Sequence, residues 1–324
     1  MHHFCTYFDR NYLLRGLSAF RSLEQTGCDF VLHALALDEQ CYATLVALKL
    51  ERLRPVLLAD IEAATPGLLA AKAGRSRIEY YFTLSPVLPL YLLEQHAEIE
   101  RITYLDADLH FTASPDVLFN EMGPRSILVC EHRYSPHLKQ QGGYGHFNVQ
   151  FQSFRNNTAG LACLKRWRTQ CIEWCHDYVD GDRYADQKYL DEWPALYGEQ
   201  LAVVQHPGAG LAPWNWASAP LDINAGELRV GGKPLVFYHF HGLKIFNAHF
   251  ISNGLADWGL MPRRPRRHIY GQYLRAIRNT REWLRVRTGH DYPVQDRFIR
   301  GKGISIASLG EIARKAWTQA MFFA

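Results

Sequence analysis

A mostly parallel α/β sheet wound with helices is the fold class that this sequence predicts, on three observations. Strand-like and helix-like segments alternate from the start of the chain, the pattern of a sheet whose parallel strands are joined by helical crossovers. The strand-like segments are rich in apolar residues, and 48% hydrophobic residues in 324 can fill a substantial core. A short apolar strand, Ile102-Thr103-Tyr104-Leu105, also runs straight into Asp106-Ala107-Asp108, and open parallel sheets collect ligands beyond the carboxyl ends of their strands. The length suits one large α/β domain with an appendage or two small domains.

Residues 2–8 read as the first strand, and Leu13, Leu14, Leu17, Phe20 and Leu23 then give a helix one apolar face. Residues 30–37 form a second strand, followed by a helix over 44–53 and a short strand over 56–58. A helix over 78–95 is expected to be interrupted near Ser85-Pro86 and Pro89. Residues 127–131 read as another strand, Gly142-Gly143-Tyr144-Gly145 as a glycine-rich loop, and 147–154 as an apolar stretch. A helix over 158–178 carries Leu161, Leu164, Trp167, Cys171, Trp174 and Cys175 at helical spacing, as packing residues. Residues 235–241 are strongly β-prone. No internal repeat or low-complexity segment is found.

The seven cysteines are odd in number and scattered among apolar residues, which suits reduced, buried thiols better than a disulfide framework. Cys171 and Cys175 could meet a metal together with His176, but no second Cys/His pair follows at zinc-site spacing. No stretch reaches the ~18 apolar residues of a membrane span, and the first residues lack a basic region followed by an apolar one. A cytoplasmic protein is expected.

Net charge is +4, unevenly placed: residues 263–302 hold eleven Arg and one Lys against Glu282, Asp291 and Asp296. This divides the chain into a catalytic domain over 1–258 and a basic helical C-terminal extension over 259–324. Within it a helix over 270–287 has Tyr273, Leu274, Ile277, Trp283 and Leu284 on one side, and residues 304–323 are partly amphipathic. One reading brings the extension to an anionic membrane surface on the inner face, where lipid-linked acceptors are made. The other packs it as a helical subdomain with solvated arginines. The extension lacks the interleaved aromatics of a nucleic-acid binder.

The chemistry resides in a few side chains. Asp106 and Asp108 at a strand end present oxygen ligands to a hard cation, Mg²⁺ or Mn²⁺. His239 and His241 alternate on a strand, so an imidazole can complete the shell. Lys244 can neutralise a departing phosphate, and Asn148 can both donate to and accept from sugar hydroxyls. Asp186 and Gln187 supply an acid and an amide near a transferred sugar, or Asp186 is merely a helix N-cap.

The ordered set Tyr7-Phe8-Asp9-Arg10-Asn11-Tyr12, Tyr104-Leu105-Asp106-Ala107-Asp108, Phe147-Asn148-Val149, Asp186-Gln187-Lys188-Tyr189-Leu190 and His239-Phe240-His241-Gly242 with Lys244 resembles glycosyltransferase family eight. That is the glycogenin and bacterial lipopolysaccharide galactosyltransferase group, with the A-type glycosyltransferase fold. The resemblance implies a hexosyltransferase moving a sugar from a nucleotide-diphosphate donor, a UDP-sugar, to a saccharide or lipid-linked acceptor, with retention of configuration. It implies that Tyr7 and Asp9 contact the nucleotide, that Asp106, Asp108 and His239 bind Mn²⁺ or Mg²⁺, and that Asn148, Asp186 and Gln187 surround the donor sugar. Lys244 touches the diphosphate, and Ala107 and Gly242 belong to the donor site.

Three departures stand out. Lys244 lies one residue nearer its histidine than in the family and precedes Ile245-Phe246; Thr83 stands where the family has an arginine, with Arg77 as its replacement; and Gln150 stands where a glycine is usual, which narrows the sugar pocket. Two rival functions remain: a metal-dependent phosphohydrolase, disfavoured because Leu109 follows the acidic pair and some hundred residues precede it, and a non-catalytic nucleotide-sugar-binding protein.

Overall fold

The computed structural model describes residues 1–245, 250–255, 258–293 and 321–323. In chain order its elements are β1 (His2–Phe8), α1 (Leu13–Gln25), β2 (Phe30–Ala36), α2 (Glu39–Leu48), β3 (Leu53–Leu57), α3 (Leu58–Ala64), α4 (Leu68–Ala73), α5 (Arg77–Gln95), β4 (Arg101–Leu105), β5 (Leu109–Phe111), α6 (Asp116–Met122), β6 (Ile127–Glu131), β7 (Phe147–Arg155), α7 (Thr158–Glu173), α8 (Trp193–Tyr197), β8 (Leu201–Val203), β9 (Leu221–Asn224), β10 (Glu227–Val230), β11 (Lys233–Pro234), β12 (Phe237–His239), β13 (Lys244–Ile245), β14 (Phe250–Ser252), α9 (Arg263–Thr288) and β15 (Met321–Phe323).

A seven-stranded sheet in the order β3-β2-β1-β4-β7-β6-β8 forms the centre. Strands β3, β2, β1 and β4 are parallel neighbours, β7 is antiparallel to both β4 and β6, and β6 is parallel to β8. Helices cover both faces, so strand side chains are buried alternately on either side: Leu35 of β2 joins the core beneath α5 and α7, while Ala34 and Ala36 join the one beneath α1 and α9. This explains the apolar richness of the strands.

Local boundaries differ from expectation where a cap or a tertiary contact decides them. Helix α2 starts at Glu39 rather than near 44, because Asp38 Oδ1 accepts from the Cys41 amide at 2.9 Å, and it ends at Lys49, whose φ is +48°. Helix α5 is continuous through Pro86 and Pro89, contrary to the expected interruption. Residues 83–90 are all buried, so packing on both sides offsets the hydrogen bonds that the prolines remove. A capping box fixes its start: Ser76 Oγ accepts from Glu79 N, and Glu79 Oε2 accepts from Ser76 N at 2.7 Å. Helix α7 ends at Glu173, not near 178, so Cys175 lies beyond it. All seven cysteines are free and buried, and His176 is bound to Glu79 at 3.0 Å, which leaves no Cys/Cys/His metal site there. The expected glycine-rich loop is in part a 3₁₀ helix over Pro136–Tyr144.

Helix α9 begins at Arg263, seven residues earlier than expected, and takes in Pro265 in its first turn. Its apolar side belongs to the core that also holds α1 and β12: Ile269, Tyr270, Tyr273, Leu274, Ile277 and Leu284 are buried with Phe20 and Phe240. Tyr273 stacks on Phe240 with ring centroids 3.7 Å apart, and Ser18 and Thr280 join the two helices by a hydroxyl pair at 3.1 Å. Among the described residues no helix is long and apolar enough to cross a membrane. The amphipathic segment expected over residues 304–323 lies outside the described residues, apart from Met321–Phe323 in a small antiparallel sheet with β13 and β14.

Because α9 shares that core, Ile277→Ala is expected to destabilise the whole body by about 2–5 kcal/mol, the usual loss for such a truncation. Urea titration followed by tryptophan fluorescence and by far-ultraviolet circular dichroism checks this: both should shift together. An early transition confined to one probe would instead show that α9 folds as a separate unit.

Candidate active site

Strand β4 delivers Asp106 and Asp108 to the end of the sheet, and a second pairing brings them a histidine from far along the chain. Strands β5 and β12 are antiparallel, with His239 opposite Leu109, and the Phe240 amide donates to the Asp108 carbonyl at 3.1 Å. His239 Nε2 therefore lies 3.2 Å from Asp108 Oδ1 and 3.5 Å from Asp106 Oδ2. The ring is held from behind, where Nδ1 donates to Gln150 Oε1 at 3.1 Å. Gly210, with a φ of +73°, leaves room for this: a Cβ there would lie 2.5 Å from Gln150 Nε2.

The charges are strongly coupled. Burial pushes Asp106 up to about 6, against the opposing pull of His239. Burial also resists ionisation of Asp108, but the charge and hydrogen bond of His239 hold it down at about 2. Burial disfavours the imidazolium too, yet Asp108 and then Asp106 lift the His239 pKa above its ordinary value. Two carboxylates and one imidazole with ligand atoms all within 4.8 Å of one another make an oxygen-rich set that a hard divalent cation fits. Asp106 and Asp108 keep 26% and 13% of their side chains exposed, against 5% for His239, so the carboxylates are the side open to a ligand. Another triplet, His2, Cys28 and Asp116, is close enough to share an ion, but Arg101 Nη2 lies 2.6 Å from His2 Nδ1 and Asp116 already binds His2 Nε2 at 2.6 Å.

Next to the triad, Asn148 Nδ2 sits 3.2 Å from Gln187 Oε1 and 3.1 Å from His132 Nε2. Gln187 Nε2 in turn donates to the Tyr144 carbonyl at 2.8 Å. Asp106 and Asn148 are tied through Gln150, whose carbonyl accepts from Asp106 N and whose amide donates to Asn148 Oδ1. Asp186 is buried and caps no helix, since Gln187 holds the N-cap position without a side-chain cap bond. Instead Asp186 lies near enough to Ser85 and to the charge of Asp106 for both to act on it, Ser85 and Tyr7 share a hydrogen bond at 3.1 Å, the rings of Tyr7 and Tyr104 lie 5.6 Å apart, and Tyr104 donates to Asp106 at 2.9 Å.

Other expected residues sit around this centre. Asp9 accepts from the amides of Asn11 and Tyr12 at the entry to α1. Arg77 is exposed at the start of α5, where it and Asp9 both act electrostatically on Tyr81, whose ring centroid is 6.4 Å from that of Tyr7. Ala107 is buried in the core. Gly242 has a φ of +71°, a turn that glycine adopts without strain, and it leads to Lys244, which is exposed and near enough to His241 to oppose its charge. His241 is exposed and lies edge-on to the ring of His239, with centroids 5.7 Å apart.

No protein-family model matches the chain. The uncharacterized protein YfnF of Bacillus subtilis (strain 168) is 30% identical over 257 residues, covering 77% of this chain and 84% of YfnF. YfnD of the same organism is 30% identical over 246 residues, covering 75% and 78%. The chain belongs to the family of YfnF and YfnD. Among solved structures, the galactosyltransferase LgtC in complex with donor and acceptor sugar analogs has a TM-score of 0.50 at 17% identity, covering 74% of this chain and 87% of that one. WbbM, a bifunctional glycosyltransferase, also has a TM-score of 0.50, at 12% identity over 89% of this chain and 52% of its own. The fold of this family member is the A-type glycosyltransferase fold.

Several residues of the site have contacts that the motifs do not assign. Gln150 was visible in the sequence only as a substituted glycine, and its amide points to His239. Trp214 lies edge-on to both His239 and His241, at 5.2 and 5.5 Å, and its Nε1 donates to the His132 carbonyl at 3.0 Å. It stands in an irregular segment with no periodicity to mark it. Ser85 was legible only as part of a suspected helix break. Tyr104, two residues before Asp106, shares its side of the backbone, and that spacing could have identified it.

Burial pushes the Asp186 carboxyl up to about 7, with Ser85 opposing and Asp106 adding to the shift. Below the ordinary carboxylate range both folded and unfolded chains hold this proton. Between the ordinary aspartate value of 3.8 and about 7 only the folded chain does, so this residue lowers stability progressively across that window and by a constant amount above it. Asp186→Asn is therefore expected to be more stable than the parent by about 2–4 kcal/mol near pH 8 and little different near pH 4. Urea denaturation with chelator present measures it; an equal difference at both pH values would contradict the assignment.

Proposed function

We propose that the protein is a metal-dependent glycosyltransferase that moves a hexose-type sugar from a UDP-sugar to a saccharide or lipid-linked acceptor of bacterial surface polysaccharide or lipopolysaccharide synthesis. The observation that carries this is the convergence of Asp106, Asp108 and His239 at the end of β4, beside the amide pair Asn148 and Gln187. Amides that both donate and accept suit the hydroxyls of a sugar ring. That LgtC was solved with donor and acceptor sugar analogs supports the same reading.

Asp106, Asp108 and His239 would hold Mn²⁺ or Mg²⁺. When bound, such a cation supplies Lewis-acid stabilisation to a nucleoside-diphosphate leaving group. The chain's own residues do the rest. Gln150 fixes the His239 ring with Nε2 toward the carboxylates. Tyr7, Asp9 and Arg77 receive the nucleotide, Asn148 and Gln187 orient the sugar hydroxyls, and Lys244 comes onto the diphosphate as an added positive charge. As the glycosidic bond breaks, the sugar gains oxocarbenium character and charge moves to the phosphate, so these fixed dipoles and charges act most strongly in the transition state. The reaction is retaining, as in the family it resembles, and Asp186 shapes the sugar side through Ser85 and Tyr7. The basic extension over 259–324 adds attraction to an anionic inner leaflet. That attraction is electrostatic, through exposed arginines of α9, because the apolar side of the helix is used in the core.

Asp108→Asn is expected to reduce Mn²⁺-dependent UDP release from a UDP-sugar and acceptor by about 10²-fold or more, the scale for losing one group that stabilises developing charge, and to abolish Mn²⁺ binding by calorimetry with the fold intact. Undiminished transfer by that variant would remove the metal assignment. Donor cleavage at the same rate without acceptor would favour a phosphohydrolase, and donor binding with no turnover on any acceptor a sensor. Product analysis by NMR tests the stereochemistry, and an inverted anomer would reject retention.

A further inference from the structure

Away from the carboxylate pair, helices α1 and α9 and strand β5 line a half-open cavity of about 370 Å³. Its charge is of one sign. Arg21 reaches it from α1 and Arg275 from α9, and among the described residues no aspartate or glutamate lines it. Arg21 is held in place: Nη1 donates to Thr280 Oγ1 at 3.2 Å, and the guanidinium lies 5.1 Å from the centroid of the Trp283 ring. Ser18, Gln272 and Asn279 add hydroxyl and amide groups to the wall.

His110 of β5 belongs to the same wall. The volume falls within the range of small-molecule sites, paired guanidiniums match the oxygens of a phosphate, and side-chain hydroxyls and amides match the alternating donors and acceptors of a polyol.

We propose that this cavity binds a small phosphorylated polyol, a sugar phosphate in chemical class, at a site separate from Asp106 and Asp108. The phosphate lies between Arg21 and Arg275, and the hydroxyls of the ligand meet Ser18, Gln272 and Asn279. The inference stands whether or not the protein transfers sugars.

Thermal unfolding of the full chain in the presence of chelator tests it, with glucose 1-phosphate, glucose 6-phosphate, glucose and inorganic phosphate as probes. A sugar phosphate should raise the midpoint by about 2–4 °C near saturation, and glucose should not. The shift should persist in Asp108→Asn and vanish in Arg275→Glu; Arg275 is exposed, so this variant should keep the unliganded midpoint. No shift with either sugar phosphate, or an equal shift in Arg275→Glu, overturns the proposal. Loss of the shift in Asp108→Asn moves the ligand to the carboxylate pair and also overturns it. An equal effect of inorganic phosphate removes the polyol from the assignment. Sedimentation with phosphatidylglycerol vesicles separates the sources: vesicle binding lost in Arg275→Glu, with no response to the sugar phosphates, would assign the phosphate to a lipid headgroup and reject a free ligand.

Discussion

The site depends on the pairing of β5 with β12. Asp106 and Asp108 are placed by a strand of the central sheet, but His239 enters only because Tyr238 and His239 lie opposite His110 and Leu109. That antiparallel contact is short, and α9 backs it: Tyr238 and Tyr270 share a hydroxyl contact at 3.0 Å, and Tyr273 stacks on Phe240. The arginine-rich helix is therefore part of what holds the histidine at the carboxylates. A change deep in the interface of α9 with the body would loosen the triad without touching any of its members.

Much of the central sheet was legible because its strands obey local rules. β1, β2, β4, β6 and β7 appear close to where apolar runs and their polar ends place them, and the acidic pair sits where a parallel sheet offers a ligand site. The errors lie where local and tertiary preferences conflict. Pro86 and Pro89 argue for a break in α5 on the chain's own terms, and burial of the surrounding residues overrides them. Cys175 fits the helical spacing of α7 but lies beyond its end, because spacing cannot locate a terminus that lacks a strong cap.

Site residues divide in the same way. Those in short ordered motifs, Asp106, Asp108, Asn148, Gln187 and His239, come together at hydrogen-bonding distances in the structure. Of those that support them, Tyr104, Ser85 and Trp214 were given no role of their own and Gln150 was read only as narrowing the sugar pocket, since their roles come from what they touch rather than from their neighbours in sequence. Gln150 shows why a departure from a pattern is informative. A glycine at that position could not accept from His239 Nδ1, so this chain has its own means of fixing the imidazole, made possible by the absence of a side chain at Gly210.

The electrostatics of the centre follow from placing acids where water is scarce. Asp106 and Asp186 are both raised by burial, and the charge of Asp106 adds to the shift of Asp186, with the hydroxyls of Ser85, Tyr7 and Tyr104 close by. A protein selected for stability alone would not bury two carboxyls within electrostatic reach of each other. The resulting negative potential is relieved in the isolated chain by the charge that His239 takes up, and a divalent cation would relieve it more fully. Binding such a cation would release His239 from that duty as a proton carrier and leave it neutral, the form in which an imidazole nitrogen can act as a ligand. Asp106, whose burial costs the isolated chain stability, is thus the carboxylate that would gain most from a cation at this end of the sheet.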